Sequence, residues 1–274
     1  MFTRLTVKIL QLFPNLRYKI WQILYNQFAG RIRLSDWRFM NYGYALFPGE
    51  TEPISVDARD AADLYGFRLY SHLISQVPVS SETQILEVGS GRGGGSFFIS
   101  KYLKPASVTG LDYAPRATAF CNKNYVCSGL QYITGNAMQL PYDNDSVDIV
   151  INVESSHAYP SFDTFISEVC RVLKPGGCLL LADFRSAGEV TGVQQKMGNF
   201  PLSEIRFQPI TDHVVLALEK ENDRKLNLIQ QHVPRWFQKY FLEFAGTIGT
   251  QTFSHFQSGK KVYFSGIWKK SLNG

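Results

Sequence analysis

Glu87-Val88-Gly89-Ser90-Gly91-Arg92-Gly93-Gly94-Gly95 follows the apolar run Gln84-Ile85-Leu86. A strand that breaks into glycines and resumes as a helix, here over 97–101, opens a strand–turn–helix unit. Glycine lets the backbone turn sharply and approach a ligand closely. The helix start behind it offers free amides and a positive dipole end to a carboxylate or phosphate. Gly89-x-Gly91-x-x-Gly94 fits a dinucleotide fingerprint, and Asp112, 18 residues after Gly94, stands where a ribose-binding acid is expected. The turn alone therefore leaves more than one nucleotide-like ligand open.

Outward from the turn, strands are predicted at 107–112, 130–134, 147–153 and 178–182, with helices at 115–124 and 162–173 between them. Lys174-Pro175-Gly176-Gly177 reads as a turn. Alternating strand and helix predicts a parallel sheet covered on both faces. Residues 186–243 read as helices that interrupt this pattern, a helical lid. Segments 247–254 and 261–268 flank Gln257-Ser258-Gly259-Lys260 and read as a terminal antiparallel β-hairpin. The expected organisation is an N-terminal helical cap segment at 1–79 and a main domain at 80–274 with the lid inserted.

The chain has 274 residues, 45% hydrophobic and 19% charged, which is ordinary globular composition and argues against disorder. A net charge of +5 permits an acidic partner without demanding one. The four cysteines form no C-x-x-C pair, so neither a zinc cluster nor a disulfide framework is predicted, and a cytoplasmic location is expected. No run of apolar residues is long enough to span a membrane, and the N-terminus does not read as a signal peptide. Residues 1–35 carry six basic and no acidic side chains, with apolar residues at helical spacing and Pro14 separating two helices. That segment either caps the active site or lies on an anionic membrane surface as a peripheral contact. No nucleic-acid-binding module is recognisable.

Other segments decide between the ligands of the glycine turn. Glu87 extends it to E-x-G-x-G-x-G, which resembles motif I of class I S-adenosylmethionine-dependent methyltransferases. Gly110-Leu111-Asp112, Gly135-Asn136-Ala137-Met138-Gln139-Leu140-Pro141-Tyr142, Asp148-Ile149-Val150 and Val172-Leu173-Lys174-Pro175-Gly176-Gly177 follow in the family's order. The resemblance implies a Rossmann-like α/β fold, a seven-stranded mostly parallel sheet with an antiparallel end, and S-adenosylmethionine as cofactor. It places Glu87, Gly89, Gly91 and Gly93 at the methionine part, Asp112 at the ribose hydroxyls, and Asn136 and Ala137 beside the adenine, with Asn152 also among the cofactor contacts. Asn136 stands where the family usually has Asp, so its contact with the adenine amine lacks charge.

The likeness narrows further. Phe39-Met40-Asn41-Tyr42-Gly43-Tyr44-Ala45, Asn152-Val153-Glu154-Ser155-Ser156-His157-Ala158-Tyr159-Pro160, Ala182-Asp183-Phe184-Arg185 and Gly249-Thr250-Gln251 resemble the phthiotriol/phenolphthiotriol dimycocerosates methyltransferase family. Members of that family methylate a hydroxyl of a long polyketide-derived lipid, so an O-methyltransferase acting on a hydrophobic small molecule is expected. Tyr42 and Tyr44 are expected over the methionine end. His157, just past the fourth strand, is the candidate general base, since a free alcohol is a poor nucleophile and ligands bind at the carboxyl ends of such strands. His213 and His232, in the lid, are candidates to face the acceptor. No cluster has metal-ligand spacing, and no metal is expected. N- or C-methylation of an alkaloid or sterol-like acceptor, a protein that binds the cofactor without methylating, and a nicotinamide dehydrogenase stand as alternatives.

Overall fold

A computed structural model describes residues 37–272. Strands β1 (Gln84–Val88), β2 (Ser107–Asp112), β3 (Leu130–Thr134), β4 (Val147–Val153), β5 (Leu173–Ser186), β6 (Leu202–Pro209) and β7 (Lys261–Lys270) make one sheet in the order β3-β2-β1-β4-β5-β7-β6. The first five in that order pair in parallel, and β7 runs antiparallel between β5 and β6. Ile85, Leu86, Ile149, Val150, Leu179 and Leu180 are all buried, as continuous apolar runs covered on both faces should be.

Helices α1 (Leu64–Ile74) and α2 (Gly94–Leu103) lie on one face, where Phe67, Leu73 and Phe98 join Ile85, Ile151 and Leu180 in a single core. Helices α4 (Phe162–Val172) and α5 (Ala187–Met197) cover the other, where Phe165, Val169 and Met197 meet Leu86, Val150, Leu181 and Trp268. Helix α3 (Pro115–Asn124) joins β2 to β3. Between β6 and β7 the chain leaves the sheet as α6 (Thr211–His232), α7 (Arg235–Ala245) and α8 (Gln251–Gln257). The chain order reverses at β1, whose neighbours are β2 and β4, and the crevice above that point is where ligands bind in such sheets.

The antiparallel end exists, but its strands differ from those expected. Segment 247–254 contributes no strand; Thr250 caps α8 by accepting from the Phe253 amide, and Phe253 and Phe256 turn into the core. The partner of β7 is β6, which lies inside the stretch read as purely helical. The Lys174–Gly177 turn proves to be a bulge within β5. Val147 pairs with Leu173 and Ile149 with Cys178, so four residues loop out opposite Asp148. The expected helices around Pro14, and any membrane contact of residues 1–35, lie outside the described residues. Among the described residues no helix is long and apolar enough to cross a membrane.

Candidate active site

The glycine turn bends at Gly89, Gly91 and Gly93, whose φ values of 80°, 54° and 80° lie in the left-handed region. The amides of Gly89 and Ser90 donate to Leu111 O at 2.8 and 3.0 Å, tying the turn to the end of β2. Asp112 completes that tie. Its Oδ2 accepts from the Gly91 amide at 2.8 Å and its Oδ1 from the Ala114 amide at 2.9 Å. Burial pushes this carboxyl up to about 6, against the pull of those two amides. Each of its oxygens keeps lone-pair capacity for a ligand hydroxyl.

Beneath the turn sits Glu87, fully buried. Tyr70 of α1 donates to its Oε1 at 2.5 Å, and the Ser96 hydroxyl of α2 donates to Oε2. Burial raises its pKa to about 7. Glu87 thus joins β1 to two helices and faces inward, below the turn's ligand side.

Asn152, the penultimate residue of β4, is also buried. Its Nδ2 donates to Val88 O at 2.9 Å and to Ser155 Oγ at 2.8 Å, while Oδ1 has no partner among the described residues. Ser90 Oγ is likewise buried without one. Ser155 closes over Gly89, so a Cβ on that glycine would lie 2.6 Å from Ser155 Cβ. At the far side, Ala137 is buried and Asn136 is exposed; Asn136 Oδ1 accepts from the Met138 amide at 2.9 Å in a tight turn.

Past β4 the chain passes through Glu154, a non-glycine residue at φ 49°, a strained conformation that persists where neighbours enforce it. Here the neighbours are Ala182 O, which accepts from the Glu154 amide at 2.8 Å, and the Tyr42 amide and Tyr263 hydroxyl, which donate to Oε1 at 2.7 and 2.9 Å. Burial raises this carboxyl to about 7. The Tyr42 ring packs on Phe184.

His157 follows in a short turn and meets Asp183 at the end of β5. The Asp183 Oδ1 to His157 Nδ1 distance is 2.7 Å, and the His157 amide donates to Oδ2 at 2.9 Å. The Ser156 hydroxyl and Arg185 also engage Oδ2, the latter at 3.0 Å. Burial acts to raise the Asp183 carboxyl, but the charges of His157 and Arg185 and the hydrogen bonds prevail and hold it well below the usual carboxylate range. An ionised carboxylate only accepts, so Nδ1 carries a proton, and Nε2 is the ring nitrogen that Asp183 does not engage. The ring packs on Phe184 at 4.4 Å and its side chain is 32% exposed.

Tyr44, His213 and His232 are not joined to this cluster. Tyr44 stacks between His72 and His213, with ring centroids 4.5 and 4.3 Å away, because it is threaded into the core beside α1 and α6. His213 Nδ1 lies 2.9 Å from Ala45 O. His232 is exposed at the last turn of α6. The structure thus brings none of the three, expected at the methionine end and at the acceptor, into contact with the His157–Asp183 pair among the described residues. Conversely, Asp183 was not singled out from sequence. Its signal is a lone acid directly after the apolar run Leu179-Leu180-Leu181-Ala182, at a strand's carboxyl end.

Comparison with known proteins fits this geometry. A family model described as a methyltransferase domain matches residues 86–181. The phthiotriol/phenolphthiotriol dimycocerosates methyltransferase of Mycobacterium leprae is 33% identical over 245 residues, spanning 89% of this chain and 90% of that protein. This chain belongs to that family. It is a methyltransferase, and its cofactor is S-adenosylmethionine. The fatty-acid O-methyltransferase of Mycolicibacterium smegmatis is 33% identical over 241 residues, 86% of this chain and 84% of that one. The geranyl diphosphate C-methyltransferase of Streptomyces coelicolor A3(2), solved with S-adenosyl-L-homocysteine, superposes with a TM-score of 0.64 at 14% identity over 91% of this chain and 98% of that one. At that identity the likeness establishes the shared fold. The residues of this methyltransferase's crevice fit its cofactor: each Asp112 oxygen accepts from one backbone amide and keeps lone-pair capacity for a hydroxyl, and Asn152 Oδ1 and Ser90 Oγ are buried without partners among the described residues. Among the described residues no group of His, Cys, Asp and Glu is disposed to hold a metal ion.

Proposed function

We propose that this methyltransferase transfers its methyl group to an oxygen of a lipid-like acceptor, with His157 as general base and Asp183 as its positioning residue. The observation that carries the reading is the 2.7 Å contact between His157 Nδ1 and Asp183 Oδ1 beside a partly exposed ring. Bound S-adenosylmethionine supplies an electrophilic methyl on a cationic sulfur. Asp112 would take the ribose hydroxyls, Asn136 and Ala137 would flank the adenine, and Gly89, Gly91, Gly93 and Asn152 would line the methionine part. Glu87 acts from below by fixing the turn to α1 and α2, and Tyr42 holds Glu154 at the edge of the crevice. His157 Nε2 would accept the proton of the acceptor hydroxyl as its oxygen takes the methyl, the methyl–sulfur bond breaking to leave neutral S-adenosylhomocysteine. Asp183 fixes the tautomer that makes Nε2 available and stabilises the imidazolium that results. The names of two relatives, one acting on phthiotriol lipids and one on fatty acids, support an apolar acceptor carrying a hydroxyl or carboxyl oxygen. The segments before residue 80 and at 186–243 are taken to shape the acceptor's access.

The test is turnover with isotopically labelled cofactor and hydroxylated lipid acceptors, the label being located by mass spectrometry. His157→Ala should lower kcat by about a hundredfold or more. Asp183→Asn should do the same while S-adenosylhomocysteine affinity stays within about threefold, because the amide donates to Nδ1 and moves the ring proton to Nε2. Wild-type turnover in His157→Ala, or a methyl found on nitrogen or carbon, overturns the reading.

A further inference from the structure

A pocket open to solvent lies between the 37–42 stretch and helices α6 and α7, outside the centre just described. Its walls include Phe39, Met40, Leu228 and Phe244, and its polar groups come from Asn41, Asp63, Glu221, Arg224 and Lys225. Most of these charges are satisfied. Asp63 accepts from Arg38 at 2.6 Å and from Arg224 at 3.0 Å, and Glu221 from Arg224 at 3.2 Å. Lys225 differs. Its side chain is 11% exposed, yet among the described residues its three N–H donors meet only Ala245 O at 3.5 Å and Glu221 Oε2 at 3.8 Å. Both contacts are at the limit of what holds an ammonium. Burial lowers the Lys225 pKa, as expected of a cation short of partners. Across the cavity wall, Asn41 Oδ1 is buried with no partner among the described residues. A cation short of acceptors and an acceptor short of a donor thus line one space.

The cavity borders the cofactor crevice. Tyr42 belongs to its wall and also donates from its backbone to Glu154 at the end of β4. Arg38 O lies against the start of α2, where a Cβ on Gly94 would sit 2.6 Å away.

We propose that Lys225 and Asn41 form a subsite for a ligand carboxylate with a hydrogen-bond donor next to it. Lys225 Nζ pairs with the carboxylate, and Asn41 Oδ1 accepts from the neighbouring donor. Two molecules bring that chemistry to this crevice: the amino-acid end of the cofactor, where an ammonium stands beside the carboxylate, and an acceptor with a free carboxyl. The cofactor source depends only on the family's cofactor; the acceptor source rests on the lipid reading above.

Calorimetry on the full chain, without turnover, separates them. The probes are S-adenosylhomocysteine and 5′-methylthioadenosine, which lacks the amino-acid end, and 2-hydroxydecanoate and 1,2-decanediol. Lys225→Met should weaken at least one carboxylate probe tenfold or more and leave the two neutral probes within about twofold. Loss confined to S-adenosylhomocysteine assigns the cofactor, and loss confined to 2-hydroxydecanoate assigns the acceptor. Unchanged carboxylate binding, or equal loss for the neutral probes, overturns the proposal. A second measurement needs no variant: the wild-type chain should bind the carboxamide of the same ligand at least tenfold more weakly than the acid, and equal affinity for acid and amide overturns the subsite even if Lys225→Met does not fold. Because nothing here reads the position of the transferred methyl, failure of the O-methylation reading leaves the outcome interpretable.

Discussion

Gly89 carries two constraints that a single substitution separates. At φ 80° any side chain is strained, and a Cβ there runs into Ser155, whose Cβ would be 2.6 Å away. Gly89→Ala should therefore cost about 2 kcal/mol or more of unfolding free energy, part from the left-handed backbone and part from the clash. Pairing it with Ser155→Gly removes the clash and not the backbone strain, so urea unfolding of the double variant should recover part of the loss. Full recovery would show that the backbone term is negligible, and no recovery would show that the turn itself has moved. The glycines, Asp112 and His157 were legible in sequence because each sits at a fixed distance from a strand end, and strand ends are marked by local composition. Asp183 carries no role readable from sequence, since its significance comes from a partner 26 residues away, and Glu154, expected from sequence to position His157 or to contact the cofactor's amine, holds the Tyr42 amide 112 residues away. Tyr44 shows the opposite failure. Its motif is local, but the face it packs on is decided by α1 and α6.

At the scale of elements, Glu87 makes the junction of β1, α1 and α2 sensitive to pH. Its carboxyl is raised from 4.5 to about 7 by burial, so in the folded chain it holds a proton that the unfolded chain has released. The unfolded state then binds fewer protons across this window, and stability falls as pH rises from about 4.5 to 7. Glu87→Gln should flatten the dependence: its unfolding free energy should lose about 2 kcal/mol less than wild type between pH 5 and pH 8. An unchanged loss in the variant would assign the dependence to Glu154 or Asp112, which burial raises in the same sense. The parallel half of the sheet was readable because its strands are apolar runs punctuated by glycine, proline and acids. The antiparallel half was not. The pairing of β6 with β7 slips one residue between Glu204 and Arg206, which leaves Ile205 60% exposed and destroys the period-two pattern of an ordinary strand. In the segment read as its partner, Ile248 and the threonines around it mimic a strand, whereas the i, i+3 pair Phe253 and Phe256 is the feature that buries.

Across the whole molecule, the α6–α8 insertion is tied to the body by a line of buried charge. Asp63, 4% exposed, sits between Arg38 of the stretch crossing α2 and Arg224 of α6. Arg38 also pairs with Asp60 at 2.6 Å, and Asp60 with Lys101 of α2 at 2.7 Å. The arrangement fixes positions more than it adds stability. Burial outweighs both guanidiniums at Asp63 and leaves its carboxyl above the ordinary value, so desolvation consumes most of the attraction. Removing the carboxylate is a different matter, because it takes away the charge that Arg38 and Arg224 share and leaves each on its own side, with Asp60 and with Glu221. Asp63→Asn should destabilise by about 1–3 kcal/mol. The loss should be uneven. Amide exchange should quicken in α6 around 221–229 and in 37–42, while β1 and β4, at the centre of the sheet, keep their protection. Uniform acceleration across sheet and insertion would mean that the molecule unfolds as one unit and that Asp63 docks nothing in particular. Selective loosening would instead make the wall between the cofactor crevice and the Lys225 cavity a separable part of the fold. S-adenosylhomocysteine affinity in Asp63→Asn would then fall together with protection at 37–42.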